Sequence, residues 1–313
     1  MRRIVEKDPG AVKARGGDGQ TPLHVASTVE IARFLLDAGA EIDALDVDHE
    51  STPAQYRIRD HTDVARYLVS RGAKTDILLA AALGDIDRVR AFLDADPSSV
   101  NVAVTSGHFP MRNPRAGGHI YIWSLGKHKT AHVVAREFGH EDVYQLLMSR
   151  TPPSLALALA CECGDEDAVR VLLAASPGLV STLSVEELRR LPRAAQDKNA
   201  NAVRLMLEAG WPVDTADRGG DTALHWAGFH GDVEMAHTIL RRRPNLEARE
   251  RDHQGSPLDW ALYGSEHGWN TASGDYIGTV TAMLDAGAKM PPIGHFAASD
   301  AVRTMLRARG IEA

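Results

Sequence analysis

Along the chain, apolar residues gather into short segments that come in pairs. The first is rich in Ala and Leu, as in Leu155 to Cys161, and the second is apolar on one face, as in Val169 to Leu173 or Val203 to Leu207. A small residue and a Gly-Asp or Gly-His turn separate the two, so the pattern predicts a repeating helix, turn, helix. Thr21-Pro22-Leu23-His24 returns as Thr222-Ala223-Leu224-His225, and more loosely as Ser256-Pro257-Leu258-Asp259 and Thr52-Pro53-Ala54-Gln55. These read as helix starts: Thr or Ser caps orphan backbone N–H groups, and Pro fits where no N–H is needed. Ala38-Gly39-Ala40, Arg71-Gly72-Ala73, Ala209-Gly210 and Ala286-Gly287-Ala288 read as stops, with Gly in the left-handed C-cap conformation, each followed by an extended acidic segment.

Counting from the Thr position, successive units start at Thr21, Thr52, Thr75, Thr130, Leu155, Arg190, Thr222 and Ser256, a mean spacing of about 33.6 residues. Gly-x-Thr-Pro-Leu-His-x-Ala, then Gly-Asp or Gly-His, then Leu-Leu and Gly-Ala resembles the ankyrin repeat, whose period is roughly 33 residues. That resemblance covers nearly the whole chain and implies an all-α solenoid over 1–313, of about eight to nine helix-turn-helix units with β-hairpin-like finger loops. Arg2 to Val12 looks like the second helix of a still earlier unit, and 291–313 like a capping segment covering the apolar face of the last one. The order of degenerate units and inserts is also similar to a group of bacterial ankyrin proteins. Units near Thr75, Leu155 and Arg190 lack the Thr-Pro-Leu-His start, and the first is shortened between its helices.

Two inserts interrupt the period. The first, 101–129, contains His108-Phe109-Pro110-Met111 and runs through Gly117-Gly118 to His119-Ile120-Tyr121-Ile122-Trp123. Its end alternates like a strand, which predicts a long β-hairpin finger. The second, 263–278, holds Tyr263, His267, Trp269 and Tyr276 where an ordinary unit has a two-residue turn. Long aromatic loops on a rigid scaffold commonly carry function, although a locally packed loop filling the solenoid end is the plainer reading.

Charge narrows the partners. Lys and Arg total 35 against 42 Asp and Glu, a net charge of −7 that disfavours nucleic acid. Cys161 and Cys163 diverge at i, i+2 on a helix, against both a disulfide and a metal pair, and fit a reducing cytoplasm. The start, Met-Arg-Arg-Ile-Val-Glu-Lys-Asp-Pro, breaks its apolar residues with charge, against a secretory leader, and no stretch is long enough to span a membrane. His24, His225 and His140 belong to repeat slots, and none of the other histidines has metal-ligand spacing on one helix, so no metal or cofactor is expected.

In the ankyrin arrangement, positions four, seven and eight after the Thr slot line the concave face. That places Tyr56, Glu137, Phe138, Glu162, Asp197, Lys198, Trp226, Phe229, His230, Trp260 and Tyr263 on one surface, with Trp226 and Trp260 in the same slot of adjacent units. Of these, Trp226, Phe229, His230, Trp260 and Tyr263, with Asp259, His267 and Trp269 beside them and Tyr121 and Trp123 of the first insert as a further wall, form the expected ligand-binding site. The resemblance implies a recognition module for a protein or a small sugar-like or aromatic ligand, without nucleic acid or membrane. An alternative is a hydrolase on a sugar-like substrate, with two of Glu137, Glu162 and Asp197 as acid and base beside a Trp platform. Against it stands the ordinary reading of those carboxylates as a solvated face, and of the rings as packing beneath the inserts.

Overall fold

A computed structural model describes residues 2–113, 115–292 and 296–312. Its packing divides the chain into two compact units, Met1–Thr151 and Pro152–Ala313. The first holds α1 (Arg2–Lys7), α2 (Val29–Asp37), α3 (Pro53–Tyr56), α4 (Thr62–Ser70), α5 (Ile77–Leu83), α6 (Ile86–Ala95), α7 (Tyr121–Ser124), α8 (Ala131–Glu137) and α9 (Glu141–Ser149). The second holds α10 (Pro153–Cys163), α11 (Glu166–Ala175), α12 (Val185–Leu188), α13 (Arg190–Gln196), α14 (Ala200–Ala209), α15 (Ala223–His230), α16 (Val233–Leu240), α17 (Pro257–His267), α18 (Tyr276–Asp285) and α19 (Asp300–Ala308).

Within each unit the helices form antiparallel pairs that stack on one another, the all-α ankyrin arrangement. The first helices are the buried layer: every residue of α5 is buried, as are Leu155 to Cys161 of α10. Their Ala-rich surfaces let neighbouring helices approach closely, which is why these segments lack an amphipathic period. Second helices begin on an acid or amide that accepts the N–H three residues on: Asp85 from Arg88, Asp165 from Ala168, Asn199 from Ala202, Asp232 from Met235 and Asp275 from Gly278. The Asp of the Gly-Asp turn is therefore an N-cap, and the Gly before it closes the preceding helix. Gly84 takes φ +67°, and an added Cβ would meet the His140 ring at 2.6 Å. That ring donates from Nε2 to Ala82 O of the preceding pair, 3.1 Å away.

The histidine of the Thr-Pro-Leu-His slot performs two tasks. His225 Nδ1 accepts the Thr222 N–H at 3.1 Å, while Nε2 donates to Gly255 O of the next pair at 3.2 Å. His24 does the same with Thr21 N–H and Ser51 O, although residues 22–25 form only turns, as the shortened first repeat implied. Gln55 substitutes in the second repeat, taking the Thr52 N–H and reaching Asp76 Oδ2 at 3.0 Å.

Two expectations change. No strand occurs among the described residues; only isolated bridges join Ala103 to Thr130 and Ala216 to Thr222. The predicted hairpin finger is instead a folded loop ending in the single turn α7, because burial at Ile120, Tyr121 and Leu125 follows one helical face and overrides the alternating pattern. The second insert is partly helix: α17 runs on to His267, leaving 268–275 as the loop. Of the capping segment, 293–295 lie outside the described residues; α19 turns Val302 and Leu306 inward and packs on α18.

Replacing His225 with Ala should lower stability by about 2 to 4 kcal/mol, since it orphans a buried N–H and a carbonyl at once. Urea unfolding followed by circular dichroism measures this, and an unchanged midpoint would contradict the bridging role. Burial lowers the pKa of His24, His225 and His230, and takes His119 down to about 4. Unfolded chains therefore bind more protons than the folded protein at mildly acid pH. Stability should fall as pH drops from about 6.5 toward the lowered folded values and level off below them, visible as a melting temperature that declines from about pH 6.5 to 4.5.

Candidate functional site

The second unit brings Trp226, Phe229, His230, Trp260 and Trp269 into one cluster, and glycine makes this possible. A Cβ on Gly228 would lie 2.6 Å from Pro257 O, and one on Gly264 would lie 2.6 Å from Phe229 O. With neither present, α15 and α17 come close enough for their aromatic side chains to interlock. Trp226 meets Trp260 edge to face at 5.1 Å between centroids, and Phe229 meets Trp269 in the same way at 5.0 Å. His230 stacks on Trp226 at 5.9 Å. Such edge and offset geometries match the quadrupoles of the rings.

Exposure separates the members. Trp226, expected on an open face, is only 8% exposed, because the loop carrying Trp269 folds over it and the two rings lie 6.3 Å apart. His230 is buried, and Phe229 and Trp260 are partly covered. Trp269 is 71% exposed and Tyr263 52%, the latter packed against the exposed His267 ring at 4.8 Å. The cluster is thus a buried aromatic base with a wet aromatic rim.

The rim loop is tied down by a directed chain of hydrogen bonds. His230 Nε2 donates to Gln196 O at 2.9 Å, which leaves Nδ1 bare to accept from Asn270 Nδ2 at 3.0 Å. The amide so oriented turns Oδ1 toward Lys198 Nζ, at 3.2 Å. Tyr276 Oη donates to Phe229 O, and Asp275 N–H donates to Gly231 O, closing the far end. Burial pulls the His230 pKa down, which agrees with the neutral ring this pattern requires. Neither Asn270 nor Tyr276 was a site candidate from sequence, since their partners lie some 40 residues away along the chain.

The other candidates fall elsewhere. Tyr121 and Trp123 belong to the first unit. Tyr121 is fully buried, donating its hydroxyl to Asp76 at 2.9 Å, whereas Trp123 is exposed. Asp259 caps α17, accepting the Ser256 N–H at 2.7 Å and pairing with Arg249 at 2.8 Å, a structural post. Glu137, in the first unit, is bridged by Lys129 at 2.7 Å and approached by Arg59 at 3.9 Å. Glu162 is paired with Arg190, and Asp197 forms the C-cap of α13. No group of three or more His, Cys, Asp or Glu among the described residues is placed to hold a metal ion, and no helix is long and apolar enough to cross a membrane.

With this geometry in view, the chain can be set beside known proteins. Residues 157–250 match the family profile described as ankyrin repeats (3 copies), and residues 18–47 that described as ankyrin repeat. Inversin of Canis lupus familiaris is 28% identical over 134 residues, 42% of this chain and 12% of inversin. The serine/threonine-protein kinase VIK of Arabidopsis thaliana is 43% identical over 49 residues, 15% of this chain and 11% of that kinase. The chain thus spans only about an eighth of these relatives. The crystal structure of the human ASB11 ankyrin repeat domain aligns over 87% of this chain and 100% of that one, with a TM-score of 0.38 and 17% identity.

Asn270→Ala should free the loop without unfolding the unit. Backbone amides of 268–275 should then exchange with solvent at least about tenfold faster at an unchanged melting temperature. In the unsubstituted protein the same loosening should appear only once the pH is well under the ordinary histidine range, since burial holds His230 neutral beyond it. A protonated Nδ1 then opposes the Asn270 amide nitrogen, and a flipped amide would oppose Lys198. Exchange that is insensitive both to the substitution and to pH would show that the loop is held by other contacts.

Proposed function

We propose, from the premise that this chain is an ankyrin-repeat protein, that it works as a protein-binding module whose second unit grips its partner through the aromatic rim. Ankyrin repeats generally mediate protein–protein binding. The observation that carries the finer reading is Trp269: an indole 71% exposed on a loop fixed at both ends, directly above a packed aromatic base. Exposed tryptophan is unfavourable in water unless it meets something, and an ordered one enters an interface with little further loss of entropy. Tyr263 and His267 extend the same rim, and the partly covered edges of Trp260 and Phe229 lie within it. An open rim of this kind suits a polypeptide segment laid across it better than a small molecule, whose sites are concave and enclosing.

The hydrolytic alternative finds no support. Glu137 and Glu162 are each held in an ion pair. A carboxylate engaged by a guanidinium or ammonium group is not free to meet a substrate.

The proposal separates two tryptophans. Trp269→Ala combined with Tyr263→Ala should abolish retention of the partner by the immobilised full chain, measured by quantitative mass spectrometry of cell extract, while the melting temperature stays within a few degrees. Trp226→Ala should instead cost about 3 to 5 kcal/mol of stability, as a buried ring does. Retention that survives loss of both rim residues would remove the aromatic surface from the binding role.

A further inference from the structure

A second surface stands on the first unit, with a different chemistry. The insert 101–129 contains Arg112, Arg115, Lys127 and Lys129 and not one Asp or Glu, in a chain where the other 31 Lys and Arg face all 42 acidic residues. It does not float. Arg112 and Asn113 N–H donate to the Glu50 carboxylate at 3.0 and 2.8 Å, and Gly117 N–H donates to Asp48 O at 2.9 Å. His49 Nδ1 donates to Gly118 O at 2.6 Å, and Ser51 Oγ accepts the Ile120 N–H at 3.2 Å. The loop is thereby clamped along finger residues 48–51, some 69 positions earlier in the chain.

This clamp engages the insert's backbone and leaves Arg112, Arg115, Trp123 and Lys127 exposed, while His119, Ile120, Tyr121 and Leu125 are buried. Arg112, Arg115 and Lys127 are exposed and have no side-chain hydrogen bond or ion pair with a described residue, whereas Lys129 is paired with Glu137. Trp123 of the same insert is 70% exposed, and its Nε1 donates to Gly117 O at 3.1 Å, which fixes the ring. An anchored, exposed indole and exposed guanidinium groups on one loop combine an apolar contact with charge-assisted donors for carboxylates. Underneath, Tyr121 is locked by Asp76 and packed on Phe109 at 5.3 Å, so the platform is rigid.

We propose that this Trp123–Arg112–Arg115 face of the insert is a second docking surface, and that it takes an extended acidic polypeptide segment. Charge complementarity names the occupant. A polynucleotide would meet the same cations, but it carries a charge on every nucleotide along its whole length, which the chain's net charge of −7 opposes, whereas a peptide can confine its acids to the short stretch that crosses the insert. The surface is independent of the Trp269 rim, so either can fail without the other.

The test uses the full chain and defined probes: a fluorescein-labelled dodecapeptide of four Asp-Pro-Glu triplets, its Lys-Pro-Lys counterpart, and a labelled thymidine dodecanucleotide. The acidic peptide should bind, weaken as salt rises, and lose at least about tenfold in affinity with Arg112→Glu/Arg115→Glu and with Trp123→Ala, but not with Trp269→Ala. Because the clamp uses backbone groups, the charge-reversed protein should keep its circular dichroism spectrum; if it does not, Arg112→Gln/Arg115→Gln takes its place with the same expected loss. Equal binding of the acidic and basic peptides, tighter binding of the oligonucleotide, or affinity untouched by the arginine substitutions would each overturn the proposal.

Discussion

Everything in this fold depends on how the first helix of a repeat begins. A helix start leaves backbone N–H groups without partners, and in a stack those groups are buried against the next pair. His24 and His225 resolve this with one ring, accepting at Nδ1 from their own repeat and donating at Nε2 to the following one. Local capping and the joint between repeats are therefore a single interaction. It works only with a neutral imidazole in one tautomer, and burial enforces that state. The aromatic cluster is built on this joint: Trp260 packs edge to face on His225 itself, at 5.3 Å.

Much of this was legible in the chain. The Thr-Pro-Leu-His slots, the Gly stops and the spacing of Ala-rich and amphipathic segments located most of the helix pairs, because capping and periodicity are local physics. Trp226 and Trp260 were correctly read as neighbours from their shared slot. What was not legible depends on partners far along the chain. The depth of Trp226 is set by a loop more than forty positions later, and the Asn270 amide is oriented by two repeats at once. The insert misled for a related reason: His119-Ile120-Tyr121-Ile122-Trp123 alternates like a strand, yet tertiary burial of Ile120 and Tyr121 closes it into a helical turn.

The two aromatic regions differ in how they are held. Around Trp226, rings contact rings and the polar links are few and directional. Around Trp123, carboxylates and carbonyls of finger residues 48–51 hold a loop by its backbone and leave its side chains available. Carboxylates perform comparable service in the finger turns, where Asp46 accepts from His49 and Ser51, and Glu250 from Asp252, His253 and Gly255. Much of the acidic excess of the chain is thus consumed in shaping turns.

The contact of Gly228 and Gly264 with the opposing backbone has an evolutionary consequence. Any missense change at either codon introduces a Cβ where 2.6 Å separates it from a carbonyl oxygen, so the seam between α15 and α17 tolerates almost no drift. In the loop at 268–275 the same limit holds at Gly268 and Gly274, whose added Cβ would lie 2.5 Å from Gly264 O and 2.6 Å from His230 O, but not at the exposed Trp269. Variation can therefore accumulate at the rim while the seam beneath stays fixed. Under the role proposed for the rim, a lineage carrying this architecture changes what it recognises by altering one short loop, with no need to rebuild the repeats that carry it.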